Sequence, residues 1–238
     1  MAVDVYVGTS GFAYREWKGS FYPKSLPASG MLQFYAGCFR SVEINNTFYQ
    51  IPKPAVVAAW AGDVPEGFKF AIKVPQQITH RRQLEHAGDT MPNLINTLVG
   101  LKKQMGPLLF QLPPWLKKDV VRLREFFAML PPQRRAAFEF RHPSWFDDEV
   151  FDMLRKQDSA LCIANVENDL DVPFISTADW GYLRLRRLDY GDSDLRAWAK
   201  RICRQKWKEA FVYFRHEDTG KGPQFARRFL DLCKGQVA

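Results

Sequence analysis

The sequence predicts one α/β domain over residues 1–238, a single (β/α)8 TIM-type barrel in which the helix between strands six and seven is short or missing. Three observations carry this. Eight short runs rich in apolar, β-branched or aromatic residues recur along the chain. Helical patterns, most with start or stop signals, alternate with them. The length of 238 residues suits one barrel, typically about 250. A doubly wound open sheet is the alternative for such alternation, and eight evenly spaced units favour closure over it. No linker, low-complexity segment or residue-level repeat divides the chain.

The elements follow in order. Val3–Val7 is the first strand, and Ser29 offers a cap for a helix over Met31–Cys38. Ser41–Ile44 is the second strand, and Pro54 precedes a helix over Ala55–Ala61. After the third strand, Phe68–Ile72, Thr90 and Pro92 open a helix over Asn93–Met105, with Gly106 just past its end. Pro107–Leu112 is the fourth strand. Asp119 precedes a helix over Val120–Leu130 that stops before Pro131-Pro132. Ala136–Phe140 is the fifth strand, and Asp147-Asp148 opens Glu149–Gln157. Ala160–Ala164 is the sixth, followed by a stretch too short and polar for a full helix before Tyr182–Leu185. Asp192-Ser193-Asp194 precedes Leu195–Gln205. Ala210–Phe214 is the last strand, and Phe225–Lys234 follows Pro223 and ends at Gly235.

Composition sets outer bounds. A hydrophobic fraction of 46% with 25% charged residues belongs to a folded chain and argues against disorder. The net charge of +8 favours anionic partners. It is spread over both halves, and the densest excess is Arg184 to Lys208, with nine basic and three acidic residues. Cys38, Cys162, Cys203 and Cys233 are dispersed, which reads as reduced thiols in a cytoplasmic protein. No cationic leader precedes an apolar run at the start, so no secretory signal is expected. The longest apolar stretch, Ala55–Ala61, is far below the ~20 residues of a membrane span, so no membrane partner is expected.

Side chains alternate faces along a strand. Val42 and Ile44 share one face of strand two, against Glu43, Asn45 and Thr47. Phe68, Phe70 and Ile72 oppose Lys73, while Leu108, Phe110 and Leu112 oppose Gln111. Phe138 and Phe140 oppose Glu139 and Arg141, and Leu183 and Leu185 oppose Tyr182, Arg184 and Arg186. Strand six ends at Asn165. The polar face points inward at the C-terminal end of a barrel, where barrel active sites lie. Four cations against two carboxylates in this set leave a surplus of +2. A self-neutralising lattice would carry none, so the surplus favours a phosphate- or carboxylate-bearing ligand.

The same residues carry a resemblance. Val7-Gly8-Thr9-Ser10-Gly11-Phe12-Ala13-Tyr14-Arg15-Glu16-Trp17, Phe21-Tyr22-Pro23 and Val42-Glu43-Ile44-Asn45-Asn46-Thr47-Phe48-Tyr49 form its first blocks. Phe68–Pro75 with Thr79-His80, Leu109-Phe110-Gln111-Leu112-Pro113-Pro114 and Phe138-Glu139-Phe140-Arg141-His142-Pro143-Ser144-Trp145 complete it. Together they resemble the YecE-like family (domain of unknown function 72) from Val5 to about Leu232. The resemblance implies a TIM-barrel fold and a cytoplasmic protein, and no established activity. This chain departs from the family pattern in Asn165 for an aspartate, Arg186 for a histidine, and Arg215-His216 for an asparagine pair. Each change makes the mouth more basic.

Glu43, Glu139 and His80 are the catalytic candidates. Glu139, two residues from Arg141 on one face, is expected as the ionised partner, and Glu43 as the proton-transfer group. His80 is a proton shuttle on a cationic loop. His142, before Pro143, is expected to fix its loop. Lys73, Arg141, Arg184 and Arg186 are expected to clamp the anion, Asn45 and Gln111 to orient it, and Tyr14 and Trp17 to offer a stacking surface. On this reading, replacing Arg184 abolishes binding and leaves the fold intact. For Lys73 an ionic role is simpler than the Schiff-base role that barrel aldolases give a strand lysine. With four histidines and no HxH, HExxH or carboxylate cluster, no metal or other cofactor is expected. The expected function is an enzyme for a small anionic substrate. The alternatives are a nucleic-acid-binding protein using Arg184–Lys208 with Tyr14 and Trp17, and a non-catalytic scaffold.

Overall fold

The computed structural model describes residues 2–85, 90–130, 134–167, 170–215 and 220–235. Its strands are β1 (Asp4–Thr9), β2 (Ser41–Ile44), β3 (Lys69–Lys73), β4 (Met105–Gln111), β5 (Ala136–Glu139), β6 (Ala160–Asn165), β7 (Trp180–Leu185) and β8 (Glu209–Phe214). The helices are α1 (Met31–Cys38), α2 (Pro54–Gly62), α3 (Thr90–Leu98), α4 (Val120–Met129), α5 (Asp148–Lys156), α6 (Asp192–Cys203) and α7 (Lys221–Lys234). The strands are parallel in the order β1-β8-β7-β6-β5-β4-β3-β2. This is the (β/α)8 barrel, and no helix lies between β6 and β7 among the described residues.

Two apolar layers hold it. Val42, Ile72, Phe110, Phe138, Leu183 and Val212 belong to the outer layer, under the helices. Tyr6, Trp180, Tyr182, Phe211 and Tyr213 fill the inside together with Ala71, Leu109, Ala137, Ala160 and Cys162. Large rings from β1, β7 and β8 complement small side chains from β3, β5 and β6, so the interior packs without a pore.

The sheet closes differently at its last joint. β1 and β2 share no ladder, only the bridge Ser10–Glu43. The Gly11 N–H donates to the Glu43 carbonyl at 2.8 Å. One turn lower, the Tyr35 hydroxyl of α1 is spliced between the strands. It accepts from the Thr9 N–H at 2.7 Å and donates to the Ser41 carbonyl at 3.2 Å. A Cβ on Gly8 would stand 2.0 Å from that carbonyl oxygen, so the approach requires glycine.

Several helix ends differ from the sequence expectation. Ser29 does not cap α1; a 3-10 turn over Ala28–Gly30 leads into it, and Gly30 holds the cap position. The run expected over Asn93–Met105 is divided. α3 ends at Leu98, a 3-10 segment covers Val99–Gln104, and Met105 opens β4. Lys102 breaks the helix at φ 50°, ψ −123°. Gly106 is a strand residue of β4, and the glycine serves the sheet, since a Cβ there would meet the Phe70 carbonyl oxygen at 2.7 Å. α6 starts three residues early, with Asp192 and Asp194 inside its first turn, where the helix dipole favours anions. Asp119 caps α4 and Asp147 caps α5, each accepting a backbone N–H at 3.0 Å. The stop expected at Pro131-Pro132 lies outside the described residues. All four cysteines are free. No helix is long and apolar enough to cross a membrane, among the described residues.

Candidate active site at the barrel mouth

β7 turns Tyr182 and Arg184 inward, by the alternation that sends Leu183 and Leu185 to the outer layer. Arg184 is 0% exposed and ties two carboxylates together. Its Nη2 donates to Glu43 Oε1 at 2.8 Å and its Nη1 to Glu139 Oε2 at 2.5 Å. Glu43, also 0% exposed, accepts further from Ser10 Oγ at 2.8 Å and the Tyr182 hydroxyl at 2.7 Å. Glu139 accepts from Gln111 Nε2 at 2.8 Å and Arg141 Nε at 3.0 Å. Burial alone would raise both carboxyls. Arg184 opposes this most, and together with Tyr182 and Ser10 at Glu43 and with Arg141 at Glu139 it outweighs burial, so both lie below the usual carboxylate range. Buried charges are tolerated when paired and hydrogen-bonded in this way.

Above this lattice lies a layer of cations. Arg186 is half-buried with no side-chain hydrogen bond or ion pair among the described residues. Repulsion from Arg184, then burial, pulls it down to about 10. Lys73 is half-buried over the Phe48 ring, 3.8 Å from its centroid. Burial lowers it to about 8, with Arg184 and Arg141 adding repulsion and the two carboxylates opposing. A cleft of about 460 Å³ opens between β5 and β8, lined by Glu139, Arg141, Ala164, Val166, Glu167, Arg186 and Arg215 among others. Glu167 is exposed and accepts the Leu188 N–H at 3.0 Å.

His80 sits in a short π-helical turn, Gln77–Arg81. Its Nδ1 meets Thr79 Oγ1 at 2.9 Å. Its ring meets Phe48 and Trp115 edge-on, at 5.0 and 6.1 Å between centroids. Burial, then Lys73 and Arg141, push its pKa down, so the ring is neutral at neutral pH.

The remaining expected residues divide. Gln111 orients Glu139. Asn45 lines a separate cleft of about 240 Å³ with Tyr14, Phe12 and Trp60. The half-buried Tyr14 donates to the Ser10 carbonyl at 2.8 Å. Burial first, then Glu43, raise its phenol to about 12. Trp17 is 0% exposed, packed among Tyr14, Phe21 and Tyr22, so it offers no stacking face to a ligand. Arg184 is likewise enclosed, so a direct clamp on a ligand is not open to it. Asn165 leaves the inward set: β6 turns Ala160 and Cys162 inward, and Asn165 shares the outward face of Leu161 and Ile163. Its Oδ1 accepts from the Tyr190 hydroxyl at 2.8 Å. His142 accepts the Ser144 N–H and fixes its turn. His216 lies outside the described residues.

The sequence reading placed Tyr182 on the inward face with Arg184, and Arg215 at the mouth, but gave neither a role, and it gave none to Ser10 or Trp115. Ser10 follows Tyr6 and Gly8 on the inward face of β1, and Arg215 follows Phe211 and Tyr213, so alternation could have assigned both to the inward set. Trp115, 64% exposed beside His80, lies in a loop with no period to mark it. No three His, Cys, Asp or Glu side chains converge as a metal-holding group, among the described residues.

Residues 6–238 match the family model described as protein of unknown function DUF72. UPF0759 protein YecE of Escherichia coli (strain K12) is 33% identical over 116 residues, covering 48% of this chain and 43% of that protein. The match thus spans less than half the length of that relative. UPF0759 protein YunF of Bacillus subtilis (strain 168) is 24% identical over 268 residues, covering 96% of this chain and 94% of that protein. Among solved structures, a DUF72 family protein from Thermotoga maritima MSB8 is similar at a TM-score of 0.87 and 26% identity, over 97% of this chain and 99% of that one. One from Enterococcus faecalis V583 shares the fold at a TM-score of 0.81 and 19% identity, over 97% and 95%.

Proposed function

The chain belongs to the DUF72 family, proteins of unknown function, and we propose for it an enzymatic role on a small phosphate- or carboxylate-bearing substrate at the C-terminal mouth of the barrel. One observation carries this. Arg184 already takes up both buried carboxylates, so Lys73, Arg186 and Arg215 have no carboxylate partner among the described residues. Crowded cations in a concave, half-desolvated site are relieved by an anion, and guanidinium groups suit phosphate and carboxylate by paired hydrogen bonds.

In this proposal Arg186, Arg141 and Arg215 hold the anion. Arg184 acts from below, fixing Glu139 and through it Arg141. Glu43, with three donors on its carboxylate, is an ionic anchor rather than the proton-transfer group. His80, neutral with Nε2 unengaged among the described residues, is the group suited to move a proton. Asn45 and Tyr14 line the neighbouring cleft and would meet a larger substrate. Four free cysteines fit a cytoplasmic placement.

The test is a thermal-shift series with inorganic phosphate, sugar phosphates and dicarboxylates. A ligand at ~100 times its Kd adds about 2.7 kcal/mol, enough to move the midpoint by several degrees. The expected result is stabilisation by one such anion, lost in Arg186→Ala. Stabilisation by none of them overturns the proposal and leaves the non-catalytic scaffold. A second reading, single-stranded nucleic acid, is favoured by Trp115 and Tyr49, 64% and 76% exposed and joined through His80 and Phe48. It predicts oligonucleotide binding that falls steeply with salt.

A further inference from the structure

We propose that Lys73 is a nucleophilic amine that forms a Schiff base with an aldehyde or ketone whose anionic group rests on Arg141, Arg186 and Arg215. The inference builds on the anion site proposed above and names the class of substrate that site would take.

The placement of Lys73 differs from that of a structural cation. It ends β3, on the face that carries Ala71 into the barrel interior. Its backbone is fixed on both sides. The Lys73 carbonyl accepts from Thr47 Oγ1 at 2.7 Å, and the Val74 N–H donates to the Leu109 carbonyl at 2.9 Å. Its ammonium rests on the Phe48 ring and forms no ion pair among the described residues, although two carboxylates belong to the same cluster. Those carboxylates are committed to Arg184 and Arg141. The lining of the large cleft includes Arg141, Arg186 and Arg215 but not Lys73. An anion seated there would leave the amine to meet another part of the same ligand.

Burial and neighbouring guanidinium groups also bring the amine to about 8. At pH 7 roughly a tenth of such an amine is neutral, against well under a thousandth of an ordinary lysine. Desolvation beside other cations is a recognised way to make a lysine nucleophilic. His80 packs on the same Phe48 ring and can carry the protons the step exchanges.

The step balances from the resting ammonium. Lys73 Nζ gives a proton to His80, and its lone pair bonds to the carbonyl carbon while the C=O π pair moves to oxygen. The oxygen takes that proton, then a second from the nitrogen, and leaves as water as the nitrogen lone pair forms the C=N bond. Ammonium plus carbonyl thus gives iminium plus water, with no oxidant, reductant or further co-reactant.

The test uses pyridoxal 5′-phosphate as an aldehyde that carries a phosphate, with pyridoxal as the same aldehyde without one. Each is incubated with the full chain, reduced with borohydride and mapped by peptide mass. Expected with the phosphorylated probe is labelling of Lys73 about tenfold or more faster than of any other lysine, with a rate–pH profile that inflects near 8. Lys73→Arg keeps the charge and should lose the fast phase while the thermal midpoint holds. Inorganic phosphate should slow the phosphorylated probe to the rate of pyridoxal. Labelling of Lys73 no faster than of exposed lysines, with either probe, overturns the inference even if phosphate stabilises the protein. Fast labelling by both probes without phosphate protection supports the amine and removes the anion site instead.

Discussion

Replacing Arg184 with alanine leaves the buried Glu43 without its ion-pair partner, and Glu139 paired with Arg141 alone among the described residues. Breaking a buried pair from one side costs about 3–5 kcal/mol, so the urea midpoint of Arg184→Ala should fall sharply. Arg186→Ala, which removes a cation repelled by Arg184, should leave the ligand-free midpoint within about 0.5 kcal/mol of the parent. The two variants separate the lattice from the anion site. Acid should act on the lattice as well. Both folded carboxyls lie below their ordinary value, so the unfolded chain binds protons first as pH falls. Their stabilisation is complete above the ordinary carboxyl range, about pH 4–5, and is lost progressively below it, toward the folded values. Urea midpoints from pH 7 to pH 3 check this, and a flat profile would contradict it. Glu43, Glu139 and Arg184 were legible because polar and apolar residues alternate on β2, β5 and β7. Asn165 was misplaced because both faces of β6 are apolar before it, with Cys162 between Leu161 and Ile163, so nothing marks the inward one. Trp17 and Trp115 look alike in sequence, and only the aromatic cluster around Trp17 tells them apart.

At the scale of elements, local chemistry was readable wherever a side chain makes the helix end. Asp119 accepts the Arg122 N–H at 3.0 Å, and Asp119→Ala should cost α4 about 1 kcal/mol, visible as a small drop in Tm. Where an end is made by backbone or by tertiary approach, sequence was silent. Gly106 carries the residue type of a helix stop and serves β4 instead, because β3 passes too close for a Cβ. Lys102 adopts a positive φ that no propensity would assign to lysine. The join between β1 and β2 is of the same kind, since Tyr35 reaches it from a helix. Tyr35→Phe leaves the Thr9 N–H and the Ser41 carbonyl with one partner fewer in a buried place. The expected loss is about 1–3 kcal/mol by denaturant titration, with the barrel otherwise unchanged.

For the whole molecule, the barrel was foreseeable from eight strand runs spaced by helical ones, because parallel strands buried on both faces need intervening helices. That no helix joins β6 to β7 among the described residues was foreseeable from the polar stretch before β7. What could not be foreseen was how the cylinder shuts. Glu43 takes part in that closure twice: its carbonyl receives the Gly11 N–H, while its carboxylate receives the Ser10 hydroxyl. Neighbouring joints are ladders of backbone bonds indifferent to acidity. This one contains an ionised group whose affinity for a proton rises when the joint parts. Parting therefore takes up a proton, and mild acid widens the breathing of this joint before it loosens the remaining staves. Amide exchange at Gly11 and Thr9 should speed up relative to the β7–β8 amides as pH falls, once the intrinsic base-catalysed slowing is divided out. A barrel closed in this way has a built-in first place to open, beside the mouth where Lys73 and Arg186 stand.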